Sequence, residues 1–409
     1  MRILLINKYH FLKGGAERAY FDAAKVLTDA GHEVAFFSTR DTKNFPTEWD
    51  AYFIRGAEYG ESGQSIVEKL RLVGNILWNR EAARNLDRLI DDFRPDVAHL
   101  HNIYHQLSPS VIRTLHRRHV PMVMTLHDYK LVSPNYSLFV RGKIWNHASG
   151  FRCIVDRCVK DSFAKSLVCV AERWLHALMR CYSLVDAFIA PSRFLAEKFS
   201  EFGFRHPISL ISQPLVPFPE RMDDSGIRKD RILCYGRISP EKGIEVLIEA
   251  IGLLWNKHDV RIVGSGEETY VESLRRKVLD LGLSASIAFT GPKYGHDLDA
   301  EIREANAVVI PSVWYENMPY VLLESLARGR VVIASDIGGM TERIENGVNG
   351  FLFRLGDSAD LAQAIRTLDV ADLRETRERA RESVSDLVAE RHGAELTALY
   401  SKLVETKNT

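Results

Sequence analysis

Cysteine is scarce in this chain, with five residues in 409: Cys153, Cys158, Cys169, Cys181 and Cys234. An odd number, mostly crowded into one stretch, is not a disulfide framework and reads as the mark of a reducing compartment. Cys153 and Cys158 form the only close pair, and four intervening residues without further ligands make a weak zinc signal. No run of 18 apolar residues occurs, so nothing is expected to span a membrane. Met1 to Lys8 is apolar too briefly for a signal peptide, and the expected location is the cytoplasm. Neither sign of charge is in excess, since 54 Lys and Arg face 54 Asp and Glu. That balance argues against nucleic acid as a partner. Short-period repeats and low-complexity tracts are also missing.

What is present is ordinary globular material. A hydrophobic fraction of 46% and a charged fraction of 26% exclude a disordered or fibrous chain. The length is too great for one core and fits two domains. The even balance hides an asymmetry: residues 1–205 carry 29 Lys and Arg against 22 Asp and Glu, and residues 206–409 carry 25 against 32. A basic front half favours an anionic partner, and a merely solvated surface shows the same split.

The first 40 residues set the architecture. Ile3 to Asn7 reads as a buried strand, and a loop with Gly14-Gly15 follows it. Ala16 to Ala30 is helical, Gly31 ends the helix, and Val34 to Ser38 is a second strand. This is a βαβ unit, the seed of a parallel doubly wound sheet. Strand patterns recur at Asp96–Leu100, Met122–Leu126 and Ala187–Ala190, so residues 1–206 form one α/β domain. Residues 207–230, with four prolines and a polar run, read as a linker. The pattern then restarts at Ile232–Tyr235, Asp259–Val263, Ser286–Phe289, Ala307–Ile310 and Val331–Ala334, giving a second α/β domain over 231–385. Residues 386–409 are expected as a helix that packs back across the junction. Two such domains are expected to leave a deep cleft between the carboxyl ends of their sheets.

Several loops carry chemistry at those strand ends. Gly14-Gly15 hands the first strand to the first helix, where free N–H groups and the helix dipole suit an anion. Gly264-Ser265-Gly266 has no third glycine at the spacing of a dinucleotide fingerprint, which weakens a nicotinamide reading. Arg237 and Lys242 follow the first strand of the second domain, and two cations there suit a diphosphate. No D-x-D pair ends a strand, so these cations stand in for a metal and no metal ligand is assigned. Glu316 lies in the loop after Ala307–Ile310, beside Asn317, Met318, Pro319 and Tyr320 at a helix start. Glu324 sits on the apolar helix that follows, where a carboxylate needs a partner. A ribose would supply one, and so would Arg328 four residues on. In the first domain His101-Asn102 and His127-Asp128-Tyr129 end two strands, near Asn135-Tyr136.

Taken together, in order and over nearly the whole chain, these segments resemble glycosyltransferase family 4, the group 1 glycosyl transferases. The resemblance implies the GT-B fold, α/β with two Rossmann-like doubly wound domains facing across a deep cleft, and retaining transfer from a UDP- or GDP-linked sugar without another cofactor. It implies that Gly14, Gly15, Gly264 and Gly266 approach the donor, that Arg237 and Lys242 hold its diphosphate, and that Glu316 accepts bonds from the donor sugar. Asn317, Met318 and Tyr320 would offer N–H groups next to Pro319, Glu324 would bind ribose, and Pro292, Lys293 and Tyr294 would contact the base. His127 would lie near the anomeric carbon, with His101, Asn102, Asp128, Tyr129, Asn135 and Tyr136 on the acceptor side. Many relatives are rich in cysteine after the His-Asp-Tyr motif. Here only Cys153 and Cys158 match that pattern, and a plain acceptor-side loop is expected.

By the same resemblance the acceptor is a polyprenyl-diphosphate-linked oligosaccharide, as in capsule, exopolysaccharide or lipopolysaccharide assembly. Basic apolar stretches at 66–94 and 163–182 suit peripheral contact with the inner face of the cell membrane. For 163–182 the simpler expectation is a helix that covers the sheet. Two alternatives remain open at this stage: a same-fold enzyme with a soluble acceptor or epimerase activity, and a non-catalytic nucleotide-sugar binding protein.

Overall fold

The computed structural model describes residues 1–56, 74–254 and 258–408. The basic segment expected at 66–94 therefore lies partly outside the described residues. Two compact units emerge: Met1–Tyr136 with His147–Val216 and Val388–Thr409, and Pro217–Leu387 with the insert Ser137–Asn146.

Short apolar runs bounded by turns make a parallel sheet in the first unit: β1 (Arg2–Ile6), β2 (Glu33–Phe37), β3 (Val97–Leu100), β4 (Met122–Thr125), β5 (Ala187–Ala190) and β6 (Ile208–Leu210). Their spatial order is β6-β5-β4-β3-β1-β2, and every ladder is parallel. β3 to β5 are buried along their whole length, which is why they read as continuous apolar runs rather than alternating ones. The helices are α1 (Gly15–Asp29), α2 (Arg80–Phe93), α3 (Ser110–Arg117), α4 (Gly150–Val155), α5 (Phe163–Leu178) and α6 (Arg193–Glu201). Side-chain oxygens open four of them: Asn79 accepts from Ala82 N at 3.0 Å, Ser149 from Arg152 N at 3.4 Å, Ser162 from Lys165 N at 3.4 Å and Ser192 from Leu195 N at 3.2 Å.

The second unit repeats the plan with β7 (Arg228–Tyr235), β8 (Asp259–Val263), β9 (Ile287–Gly291), β10 (Ala305–Ile310), β11 (Val331–Ser335) and β12 (Phe351–Phe353), in the order β9-β8-β7-β10-β11-β12. Its helices are α7 (Ile244–Gly252), α8 (Glu268–Asp280), α9 (Gly295–Glu304), α10 (Tyr320–Ala327), α11 (Ser358–Val370) and α12 (Arg374–Glu382). The core between sheet and helices is aliphatic, with Leu247, Ile251, Val260, Ile333, Leu361 and Ile365 buried together. Helix α13 (Ala389–Asn408) belongs to the first unit, where Leu396 and Tyr400 join the cluster of Ile3, Leu5, Tyr20 and Val97.

Three expectations change. β6 lies inside the stretch read as linker; Pro207 immediately before it is tolerated because β6 is an edge strand. Residues 223–224 are also ordered, pinned from below by a buried arginine. Arg330 donates to Asp223 O at 2.8 Å and to Ile302 O at 3.1 Å, and reaches Asp224 Oδ1 at 3.2 Å. Finally, Cys153 and Cys158 form a disulfide with Cα atoms 4.8 Å apart, where a plain loop was expected. Too few cysteines for a framework does not exclude a single local bridge across the end of α4.

Candidate active site

In the second unit the strand order changes direction between β7 and β10, and loops leaving the carboxyl ends there form the usual ligand position of an open α/β sheet. Those two loops carry Arg237, Lys242 and Glu316. Lys242 Nζ lies 2.6 Å from Glu316 Oε1, and Ser312 Oγ donates to the same oxygen at 2.6 Å. Burial pushes the Glu316 carboxyl up, but the charge and hydrogen bond of Lys242 and the hydroxyl of Ser312 prevail and hold it below the ordinary carboxylate value. The Lys242 ammonium also sits 5.7 Å from the Trp314 ring centre. Arg237 is well exposed and pairs with Glu241 at 2.9 Å.

Glycines bring these loops together. A Cβ on Gly264 would stand 1.8 Å from Gly236 O, and one on Gly266 would stand 2.0 Å from Ile238 O, where the two segments form a parallel bridge. Gly338, at φ +69°, leaves room for Glu316 O 2.2 Å from where its Cβ would be, and Gly339 N donates to that oxygen at 2.9 Å. The backbone of Glu316 is thereby fixed along with its carboxylate.

The remaining predicted donor residues lie at the same sheet end. Pro319 precedes α10, which starts at Tyr320 rather than at Met318, and Met318 is buried beside the half-buried Asn317. Glu324 is half-buried on α10, but its expected partner turns elsewhere: Arg328 pairs with Asp299 at 2.9 Å and meets only the backbone carbonyl of Glu324. After β9, Pro292 and Tyr294 are exposed, and Lys293 is paired with Glu301.

In the first unit, the ends of β3 and β4 assemble a histidine row. His99 and His101 stack with ring centres 4.4 Å apart, and His101 Nδ1 lies 2.8 Å from His127 Nε2. His99 is tied at both nitrogens, to Thr125 Oγ1 and Tyr400 OH, each at 2.7 Å. Burial lowers His127 to about 3, with the nearby Lys8 charge adding to the effect, lowers His99 to about 3, and holds His101 well below the ordinary imidazole value. These imidazoles are neutral at physiological pH. His101 Nε2 is buried without a hydrogen-bond partner, so this row has an unused polar atom.

Asn102 is buried beside Asn7, whose Oδ1 accepts from Asn102 N at 3.1 Å. Gly14 and Gly15 are exposed at the start of α1, with Glu17 buried one turn in. Burial raises the Glu17 carboxyl, opposed by Lys8 and Asn7. The predicted acceptor residues separate into two groups. Tyr136 is exposed and His127 and Asp128 are half-buried, whereas Tyr129 and Asn135 are buried, with Asn135 Nδ2 donating to Cys158 O at 2.7 Å. Asp128 accepts from Lys130 N at 2.9 Å and is raised by burial.

Sequence reasoning gave no role to Ser312, Trp314, Glu17 or Lys8. His105, Cys169 and Glu172 have ligand atoms within 4.8 Å of one another, the only such grouping of metal-ligating side chains among the described residues. The Lys130 ammonium already lies 2.8 Å from Glu172 there, so the positive charge of that cluster is supplied by the chain.

Two family models match the chain. One, described as Glycosyltransferase Family 4, covers residues 13–215, and the other, Glycosyl transferases group 1, covers 218–385. An uncharacterized 42.6 kDa protein in the cps region of Klebsiella pneumoniae is 24% identical over 84% of this chain and 87% of its own. The lipopolysaccharide core biosynthesis glycosyltransferase LpsE of Rhizobium meliloti is 27% identical over 54% of this chain and 65% of its own. Among solved structures, Anabaena HepE in complex with UDP superposes with a TM-score of 0.70 at 21% identity, over 98% of this chain and 100% of that one.

Proposed function

Since the chain belongs to glycosyltransferase family 4, the group 1 glycosyl transferases, and has their GT-B fold of two Rossmann-like domains, we propose that it moves a hexose from a nucleotide-diphosphate sugar to a lipid-linked glycan acceptor, with retention of configuration, in cell-surface polysaccharide biosynthesis. The observation that carries this reading is the Lys242–Glu316–Ser312 cluster at the turning point of the second sheet. Relatives in a cps region and in lipopolysaccharide core biosynthesis support the pathway class.

In this reading the diphosphate takes the Lys242 ammonium and the Arg237 guanidinium, which neutralise it in place of a divalent cation. Glu316, already ionised and fixed through its backbone, accepts from the donor sugar hydroxyls. Glu324 binds ribose, and the exposed Pro292 and Tyr294 with Lys293 serve the base. The bond from the anomeric carbon to the phosphate oxygen breaks as the acceptor oxygen bonds to the same face. The acceptor proton passes to an oxygen of the departing diphosphate, so the chain need supply no general base. His127, neutral, offers lone-pair density to the oxocarbenium-like charge rather than a proton. Positioning and electrostatics carry the acceleration.

Calorimetry with UDP, GDP, ADP and their sugar conjugates, with and without EDTA, tests the donor half. UDP is the first choice because it is the nucleotide held by HepE. Selective, EDTA-insensitive binding of one nucleotide is expected, and it should weaken more than tenfold in Lys242→Ala, the loss of about one charge-assisted contact. No binding to any nucleotide would overturn the reading.

A further inference from the structure

The helix pair α4–α5 turns its apolar side outward. Six of the sixteen large apolar side chains exposed among the described residues lie on it: Phe151, Val155, Phe163, Leu167, Trp174 and Leu178. Leu178 is 82% exposed, Phe151 73% and Trp174 64%. On α5 the four belong to one stripe, because the steps 163, 167, 174 and 178 return within about 60° at 3.6 residues per turn. The opposite side of α5 buries Ser166, Cys169, Glu172 and His176. The large apolar side chains of the helix are therefore on the side it does not bury. This reverses the simpler expectation for 163–182.

The pair is rigidly held. Ser162 caps α5, Arg173 donates to Ala148 O at 2.5 Å, and α4 packs so closely that a Cβ on Gly150 would stand 2.8 Å from Val170. The exposure is thus a property of a built surface.

Cations flank the stripe. Arg152, Arg157, Lys160 and Arg180 are all exposed on the same segment, whereas Lys165 lies about 200° around the helix from Phe163 and belongs to its other side. Of the acidic groups there, Glu172 is buried against Lys130, Asp156 pairs with Arg152 at 3.2 Å, and Asp161 is exposed beside Lys160, so the cations still outnumber the carboxylates on this surface. A second copy of the chain docking here through a two-fold axis would set this positive charge against itself. An anionic lipid surface instead meets both components, with phosphate heads for the cations and acyl boundary for the aromatic and aliphatic side chains. Tryptophan is well suited to that boundary, with an apolar ring and one N–H donor.

We propose that the outward face of α4–α5 is the surface by which this protein rests on an anionic membrane. The proposal builds on the reading of a lipid-linked acceptor, because a soluble enzyme with such a substrate must work at the bilayer.

Co-sedimentation with vesicles tests it. The protein is mixed with phosphatidylcholine vesicles and with vesicles of phosphatidylcholine and phosphatidylglycerol, at low and high salt. Binding to the anionic vesicles that weakens with salt is expected. The double variant Trp174→Ser, Leu178→Ser should lower the partition coefficient roughly tenfold or more. Arg157→Gln and Lys160→Gln should each lower it about fivefold. These positions are exposed, so the variants are expected to fold, and nucleotide-sugar binding and transfer to a short-chain, water-soluble acceptor analogue should be unchanged. Equal binding to neutral vesicles, no binding, or binding that ignores all four substitutions would overturn the surface. So would a dimer in sedimentation velocity that the Trp174 and Leu178 changes dissolve. Failure of nucleotide-sugar binding with vesicle binding intact would instead remove the proposed function and leave the surface standing.

Discussion

At the scale of single residues, the second unit depends on positions where no side chain fits. Gly264 has φ +156° and a would-be Cβ 1.8 Å from Gly236 O, so Gly264→Ala must push the β8 loop off the β7 loop. A melting-temperature loss equivalent to about 2 kcal/mol or more is expected, together with loss of nucleotide binding. The sequence showed the two glycines but not this reason for them. The dinucleotide fingerprint asks for a third glycine so that its helix can pack closely on the strand, whereas the requirement at Gly264 and Gly266 comes from a neighbouring strand's loop. Glu316 was visible because it stands in the loop that leaves the strand Ala307–Ile310, and its partner Ser312 was not, because a serine after a proline reads as turn. Titration belongs to this scale as well. His99 is buried, bonded at both nitrogens and lowered to about 3, while in the unfolded chain it protonates near its ordinary value. The unfolded state then binds more protons between those two values, so stability falls as the pH drops through that window. The slope is about 1.4 kcal/mol per pH unit from this one group. Urea midpoints of wild type and His99→Gln compared between about pH 6 and pH 4 should show the variant with the flatter dependence. Parallel curves would mean that His99 protonates in the folded protein.

At the scale of elements, Arg330 opens β11 with its side chain fully buried, and its guanidinium anchors residues 223–224 that composition alone marked as linker. Arg377 on α12 reaches the same Asp224 at 3.4 Å and Asn306 at 3.0 Å, so strand, helix and connection share one network. Removing the fork leaves the Asp223 and Ile302 carbonyls without their donor, and Arg330→Ala is expected to cost about 3 kcal/mol in denaturant unfolding. Arg330→Lys should recover little of it, because an ammonium cannot reach three acceptors in a plane. A lysine variant as stable as wild type would show that charge, and not the fork, holds this connection. Proline and polar runs signal where regular structure stops, but they carry no information about a distant arginine. The same limit applies to α5. Its periodicity was legible, yet the large apolar stripe is not the side it buries. The buried side is set by Cys169, Val170 and His176, small or polar enough to pack beside the Lys130–Glu172 pair.

At the scale of the whole molecule, the two parallel sheets were legible because buried parallel strands leave short continuous apolar runs, and ten of the twelve announce themselves that way. The two that did not, β6 and β12, are edge strands of three residues each, too short to show a period. Chain order and architecture part company at the end: after the second unit the chain returns to the first, and α13 closes its core. Tyr400 is fully buried there, and its hydroxyl holds His99 on β3 across 301 residues of sequence. Gly393 on the same helix lies against α1, where a Cβ would stand 2.8 Å from Val26. Stability of the first sheet therefore depends on a helix that follows the second unit in the chain. Tyr400→Ala should remove about 3–5 kcal/mol from the first unit, through the cavity and the orphaned histidine. Hydrogen exchange should then show faster exchange in β1, β3 and α1 with β7, β8 and β10 unchanged. Nucleotide binding should survive at temperatures where the first unit has begun to open, because Lys242, Glu316 and Ser312 all lie in the other unit. Equal loss of protection in both sheets would mean that the two units unfold as one cooperative body, and that the donor site draws its order from the C-terminal helix too.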